Sequence, residues 1–219
     1  MVFKRIRRGL SNLGPRGKTA IELRRIRRLD QAAYGGKAPH YPVSTGVKEY
    51  GAMFNTDFYG AVQKSIARGR KPKVLEVSAG EGRFLRELKD RFGHNITTVA
   101  TGLARPPKTK GIDSYRVMRL GNQKRPLSGG FDFIVAVSGE PQKMSPGEVT
   151  DHVLSRLRPG GKAYLDLGML QLAHGKVTTI EGDTKGFFED QGFRVLRVLH
   201  TKAVERVGNV TLMEIERPR

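Results

Sequence analysis

Residues 74–85 read VLEVSAGEGRFL, and this stretch decides the fold. An apolar run reaches an acid at Glu76, passes two glycines at Gly80 and Gly82, and enters an apolar-periodic segment at Phe84-Leu85. Such a passage predicts a strand over Lys73–Val77, a tight glycine turn, and a helix over Gly82–Phe92. Glycine lets backbone approach a ligand closely, and the start of a helix offers free N–H groups.

The pattern continues in the same alternation. Strands are expected at Ile96–Thr101, Tyr115–Leu120 and Phe131–Val137, the last (FDFIVAV) apolar enough to be buried on both faces. Ser145-Pro146-Gly147-Glu148 combines an N-cap, a proline at the first helical position and a capping-box acid. The helix it opens is expected to run to Leu157, with Pro159-Gly160-Gly161 stopping it and a strand at Lys162–Leu167. A helix around 184–191 then precedes two strands, Phe193–Leu199 and Val210–Glu216, expected to form an antiparallel hairpin around Gly208-Asn209. Upstream, a helix is expected over about 47–69, ending at Gly69. This order predicts a doubly wound α/β fold with a mostly parallel seven-stranded sheet and a C-terminal antiparallel hairpin. In such sheets ligands bind beyond the carboxyl ends of the strands, near the turn after the first.

The chain has 219 residues, a net charge of +19 and no cysteine. Without cysteine there is no disulfide, thiolate metal site or cysteine nucleophile. The five histidines are scattered without metal-ligand spacing, so no metal is expected. No apolar stretch approaches the roughly 20 residues needed to span a bilayer. Residues 1–28 carry ten basic residues (Lys4, Arg5, Arg7, Arg8, Arg16, Lys18, Arg24, Arg25, Arg27 and Arg28) against one acid, Glu22. Thr19-Ala20-Ile21-Glu22 has the form of a capping box, with apolar positions at Ala20, Leu23, Ile26 and Leu29 and arginines on the other face. This predicts a basic N-terminal helical extension that binds a polyanion, with nucleic acid as the expected partner and an anionic membrane surface as the lesser alternative. A solvated basic face packed on the domain is the plainer alternative. Residues 1–45 are therefore expected to form an extension and linker, and 46–219 the folded domain. The expected compartment is the cytoplasm, with a mitochondrial targeting role for the basic segment as the alternative.

The spacing at residues 74–85 separates ligand classes. A dinucleotide turn needs G-x-G-x-x-G, and the third glycine is missing; no Walker loop occurs anywhere. The stretch instead resembles motif I, (D/E)-x-G-x-G-x-G, of the class I S-adenosylmethionine-dependent methyltransferases. Glu76 stands at the acid, Ser78 at the first glycine, and Gly80 and Gly82 at the other two. Phe131–Val135 looks like the family's fourth-strand motif, Leu157–Lys162 like its L-x-P-G-G turn, and Gly192-Phe193 before a hairpin like its usual ending. The resemblance covers about residues 50–216.

The resemblance implies S-adenosyl-L-methionine as cofactor and a cradle of Glu76, Ser78, Ala79, Gly80, Glu81 and Gly82. It further implies Gly102, Leu103 and Asn122 around the nucleoside, Ser138 as a further cofactor contact, and Glu140 as a general base or amine-orienting group. A loop acid in solvent is the alternative reading of Glu140, a helix-capping or salt-bridge role that of Glu76, and a tight strand-to-helix turn without a ligand that of Gly80 and Gly82. The family's acid at the end of the second strand has no counterpart in Val99–Arg105, and Asn122 replaces the acid beside the adenine. The implied function is methylation of RNA, with ribosomal or transfer RNA, the ribosome or its precursors as partners. A methyltransferase-fold protein that binds RNA or the ribosome without turnover is the alternative, and a small-molecule or protein methyltransferase is a third reading that leaves the charge unexplained.

Overall fold

The computed structural model describes residues 45–102, 106, 109–118, 120, 127–137, 139, 141, 144–167, 180–202 and 209–219. The expected basic helix and linker, and the hairpin turn around Gly208, lie outside the described residues. Two helices open the described chain: α1 (Val47–Phe54) and α2 (Phe58–Ala67). Then follow β1 (Lys73–Glu76), α3 (Arg83–Phe92), β2 (Thr97–Gly102), β3 (Ser114–Val117), β4 (Phe131–Ala136), α4 (Pro146–His152), β5 (Leu157–Asp166), α5 (Ile180–Asp190), β6 (Arg194–Lys202) and β7 (Asn209–Glu216). The seven strands form one sheet in the order β3-β2-β1-β4-β5-β7-β6, parallel from β3 to β5 and antiparallel at β7 and β6.

Two expectations are corrected. The single helix over 47–69 is two helices. Asn55 takes a left-handed conformation with φ of 46° and ends α1. Asp57 then caps α2, its carboxylate accepting from the Gly60 amide at 2.9 Å. Asparagine and aspartate both offer the backbone a local alternative to helix, which is why the break falls there. The second correction concerns the Pro-Gly-Gly turn. The helix that begins at Ser145 has the expected capping box but ends at His152, and β5 begins at Leu157. Pro159-Gly160-Gly161 lies inside the strand, where pairing with β4 slips between Phe131 and Phe133. A Cβ on Gly161 would sit 2.7 Å from the Phe131 carbonyl oxygen, so only glycine lets the two strands approach.

The sheet separates two apolar layers. Leu75, Val77, Phe131, Ile134, Ala163, Leu165, Phe188 and Ile215 belong to one. Val74, Phe54, Phe58, Phe84, Leu88, Ile96, Val135 and Tyr164 belong to the other. Alternate residues of β1 and β4 therefore face opposite layers, as a sheet covered on both sides requires. Aromatic edges lock α1 and α2 onto the second layer: Phe58 meets Phe84 at 5.3 Å and Tyr164 at 4.8 Å between ring centroids. No helix among the described residues is long and apolar enough to cross a membrane.

Glu214 ties the antiparallel strands to the parallel ones. It is buried in β7 and accepts from Lys162 Nζ on β5 at 2.8 Å and Arg197 Nε on β6 at 2.6 Å. Removing the carboxylate would leave Lys162 without its acid and Arg197 with only its bonds to the Asn55 carbonyl and Thr56 Oγ1. Glu214→Ala is expected to lower unfolding free energy by about 1–3 kcal/mol in urea denaturation, between the values for exposed and for fully buried pairs. A loss below about 1 kcal/mol would mean that the pair contributes only as exposed ion pairs do.

Candidate functional site

The turn out of β1 is built from alternating left-handed residues. Ser78, Gly80 and Gly82 have φ of 55°, 53° and 67°. Glycine adopts this conformation freely; serine does so at a cost, so its neighbours must hold it there. The Ser78 amide donates to Thr101 Oγ1 at 3.4 Å and the Ala79 amide to the Thr101 carbonyl at 2.9 Å. Both partners sit near the carboxyl end of β2. From the other side, a Cβ at Gly139 would lie 2.5 Å from Ser78 Oγ, so the segment after β4 presses on the same serine. The turn thus lies where strand order reverses, between β1 and β4, as expected for a ligand site in a doubly wound sheet.

The tip is held by the phenol of Tyr115 on β3, which donates to the Gly80 carbonyl at 3.0 Å. Arg86 on α3 donates to the Glu81 carbonyl. With their carbonyls engaged, the amides of Gly80 and Glu81 donate to no described residue. Gly82 has no room for a side chain: its Cβ would lie 2.5 Å from Ile112 Cδ1. Backbone and helix start are therefore brought close to whatever occupies the turn, and two free donors remain at its tip.

Glu76 closes β1 and is 1% exposed. Its Oε1 accepts from the Tyr50 hydroxyl of α1 at 3.1 Å, while Oε2 is buried without a hydrogen-bond partner among the described residues. That oxygen is 3.9 Å from the position a Gly82 Cβ would take, so it faces the turn. Burial pushes the Glu76 carboxyl up to about 8, against the lowering effects of the Tyr50 hydrogen bond, the Arg86 charge and the Leu85 backbone amide in the first turn of α3. A buried acid with one idle oxygen costs stability unless it stays protonated or meets a cation or donor. Tyr50 is itself buried, edge-on to Phe84 at 5.2 Å, and burial followed by the Glu76 charge raises its hydroxyl well above the ordinary value.

Of the residues expected at the site, Glu76, Ser78, Ala79, Gly80, Glu81 and Gly82 occupy this turn, and Gly102 is the last residue of β2. Leu103, Asn122, Ser138 and Glu140 lie outside the described residues, as does the basic segment from Lys4 to Arg28. Tyr50, Thr101, Ile112 and Tyr115 were not singled out from sequence. Each meets the turn from another element, at separations of 23 to 35 residues for the three hydrogen-bonded ones. Among the described residues no group of three His, Asp or Glu side chains converges on a metal position.

No protein-family model matches the sequence, and no curated protein matches it. Solved structures do match in fold. The 1,6-didemethyltoxoflavin N1-methyltransferase of Burkholderia thailandensis, solved with S-adenosylhomocysteine, is 14% identical with a TM-score of 0.56, over 94% of this chain and 92% of its own. The magnesium protoporphyrin IX methyltransferase of Synechocystis PCC 6803, solved with S-adenosylmethionine, is 14% identical with a TM-score of 0.49, over 72% and 76% of the two chains. The N-methyltransferase NodS of Bradyrhizobium japonicum is 13% identical with a TM-score of 0.48, over 74% and 94%. The first of these establishes that the chain has the Rossmann-like fold of class I methyltransferases, as its motifs lead one to expect.

Two outcomes test the geometry. Gly82→Ala forces a Cβ against Ile112 at positive φ and is expected to lower stability by about 1–3 kcal/mol in thermal or urea unfolding. Glu76 binds its proton more tightly folded than unfolded, so its contribution favours folding below the unfolded value near 4.5 and is lost as pH rises to about 8. Glu76→Gln should remove that loss. Its stability relative to the parent is expected to rise between pH 5 and pH 8 by at most about 1.4 kcal/mol per pH unit. A difference that does not change with pH would show that Glu76 ionises normally.

Proposed function

We propose that this protein is an S-adenosylmethionine-dependent methyltransferase that acts on RNA held by its basic N-terminal segment. The observation that carries the cofactor reading is the idle Oε2 of Glu76 beside a turn with free amides at Gly80 and Glu81. A cationic amine satisfies a buried carboxylate oxygen, and a carboxylate satisfies free backbone amides. The amino-acid part of S-adenosylmethionine has both groups. The bound cofactor supplies a sulfonium-activated methyl group, and the protein's task is alignment. Glu76 would hold the ammonium, and Ser78, Ala79, Gly80, Glu81 and Gly82 the surrounding backbone contacts. Gly102, Leu103 and Asn122 are assigned to the nucleoside by their place in the motif order, Ser138 to a further cofactor contact, and Glu140 to the acceptor.

RNA is favoured as substrate by charge. Residues 1–28 have nine more basic than acidic residues, which suits a phosphate backbone and has no use with a small neutral acceptor. The absence of cysteine excludes the covalent route to cytosine C5, which needs that nucleophile. A second reading, an RNA- or ribosome-binding protein of this fold without turnover, is favoured by the end of β2. Thr101 and Gly102 stand where the family's ribose-binding acid is expected.

The test is methyl transfer from radiolabelled S-adenosylmethionine to unmodified ribosomal and transfer RNA. Label is expected in RNA with the full chain, and none with Gly80→Val. RNA binding without any transfer would favour the second reading. Deleting residues 1–28 is expected to weaken RNA affinity at fixed salt and to flatten its salt dependence by roughly 0.7 for each phosphate no longer neutralised. Unchanged affinity would contradict the arm's role.

A further inference from the structure

A concave feature of the described domain lies at the opposite ends of the strands from the turn. A cavity of about 430 Å³ opens between α2 and the amino ends of β4 and β5, with Asp132, Phe133, Arg158 and Lys162 in its wall. Its lining is markedly cationic. Lys64, Arg68, Arg70, Arg158, Lys162 and Arg219 all face it, against Asp57, Asp132 and Glu216.

The acids are already committed. Asp57 caps α2 through the Gly60 amide. Asp132 accepts from the Lys73 amide at 2.8 Å and pairs with Arg158. Glu216 pairs with Arg194 outside the cavity, and Lys162 with Glu214. Lys64, Arg68 and Arg219 form no ion pair with any described residue, whereas the Arg70 charge acts on Asp132 beside that of Arg158 without a close contact. The negative end of α2 accounts for Lys64 and Arg68 near its last turn. It does not account for Arg70, beyond the helix, or for Arg219, which arrives from the far end of the chain. Six cations against three committed acids leave an excess of positive charge around one concavity, and an anion relieves that repulsion.

We propose that this cavity is a second RNA contact, binding phosphodiester groups of the backbone on the face remote from the cofactor turn. The proposal rests on the RNA reading above. The six lining cations come from three separate chain segments and present side chains rather than converging backbone amides, which suits successive phosphates better than one tightly held oxyanion. Ser65, also in the lining, adds a neutral hydroxyl donor. RNA held here and by residues 1–28 would be gripped at two places on one chain, so the affinities would multiply rather than add.

The experiment measures binding of a mixed-sequence single-stranded RNA to the full chain at several salt concentrations. The cavity variant is Arg68→Glu with Arg70→Glu, both exposed and outside the apolar layers. The control is Lys110→Glu with Lys185→Glu, which removes the same formal charge from other surfaces. The cavity variant is expected to lose about tenfold or more in affinity and about 1.4 in salt slope, roughly 0.7 for each of two phosphates, while the control loses less than about threefold. Inorganic tripolyphosphate should compete with RNA for the parent more effectively than for the cavity variant. Equal losses in both variants would reduce the effect to general charge and overturn the proposal, as would an unchanged cavity variant. If charge reversal prevents folding, judged by circular dichroism, Lys64→Gln with Arg70→Gln is read by the same criteria. A parent that binds no RNA overturns the RNA reading as well, whereas a parent that binds and a variant that binds equally overturn this proposal alone.

Discussion

The chain leaves β1 through three left-handed residues, the first of them and the residue after it held to Thr101 on the neighbouring strand, and the candidate site depends on that reversal. Ser78 is kept in a conformation serine avoids by hydrogen bonds from its own amide and the next one to β2, and by the close approach of Gly139. The same constraint starts α3 so that Phe84, Leu85 and Leu88 pack on the sheet, and it leaves amides at the turn's tip without partners among the described residues. It also explains why a serine is tolerated at a position where glycine is the easier choice: the surrounding structure over-determines the backbone.

The electrostatics follow from the same geometry. Because β1 ends in the sheet's interior, Glu76 is buried, and because the turn is tight, its second oxygen faces glycine backbone rather than water. Tyr50 satisfies one oxygen and Arg86 contributes charge from α3, but neither offsets desolvation. The acid is thus held in an environment that favours its neutral form until a cation arrives. Stability given up at such a position is a recurring mark of functional sites.

Much of this was legible in the amino-acid sequence because it is local. The alternation of apolar runs and glycine turns indicated fold class and the succession of elements, and Ser145-Pro146 and Glu148 located the start of α4 to the residue. What was hidden is tertiary. The break at Asn55–Asp57 competes with good helix formers on both sides, so periodicity ran straight through it. The Pro-Gly-Gly turn reads as a helix stop until Phe131 is seen packed against Gly161. Within the site, Glu76 and the glycines announce themselves by spacing, whereas Tyr50, Thr101 and Tyr115 carry no mark that distinguishes them from core residues. The cavity at the amino ends of β4 and β5 was equally silent, since its cations come from three distant segments.

The central claim is that Glu76 and its turn form a seat for a cationic amino-acid group. The most direct measurement is calorimetric titration with S-adenosylmethionine near neutral pH, repeated in buffers of different ionisation enthalpy to count protons. Saturable binding is expected, with the parent releasing up to about one proton more than Glu76→Gln as the carboxyl ionises against the ammonium. No binding at millimolar cofactor, or the same proton count in both proteins, would contradict the account.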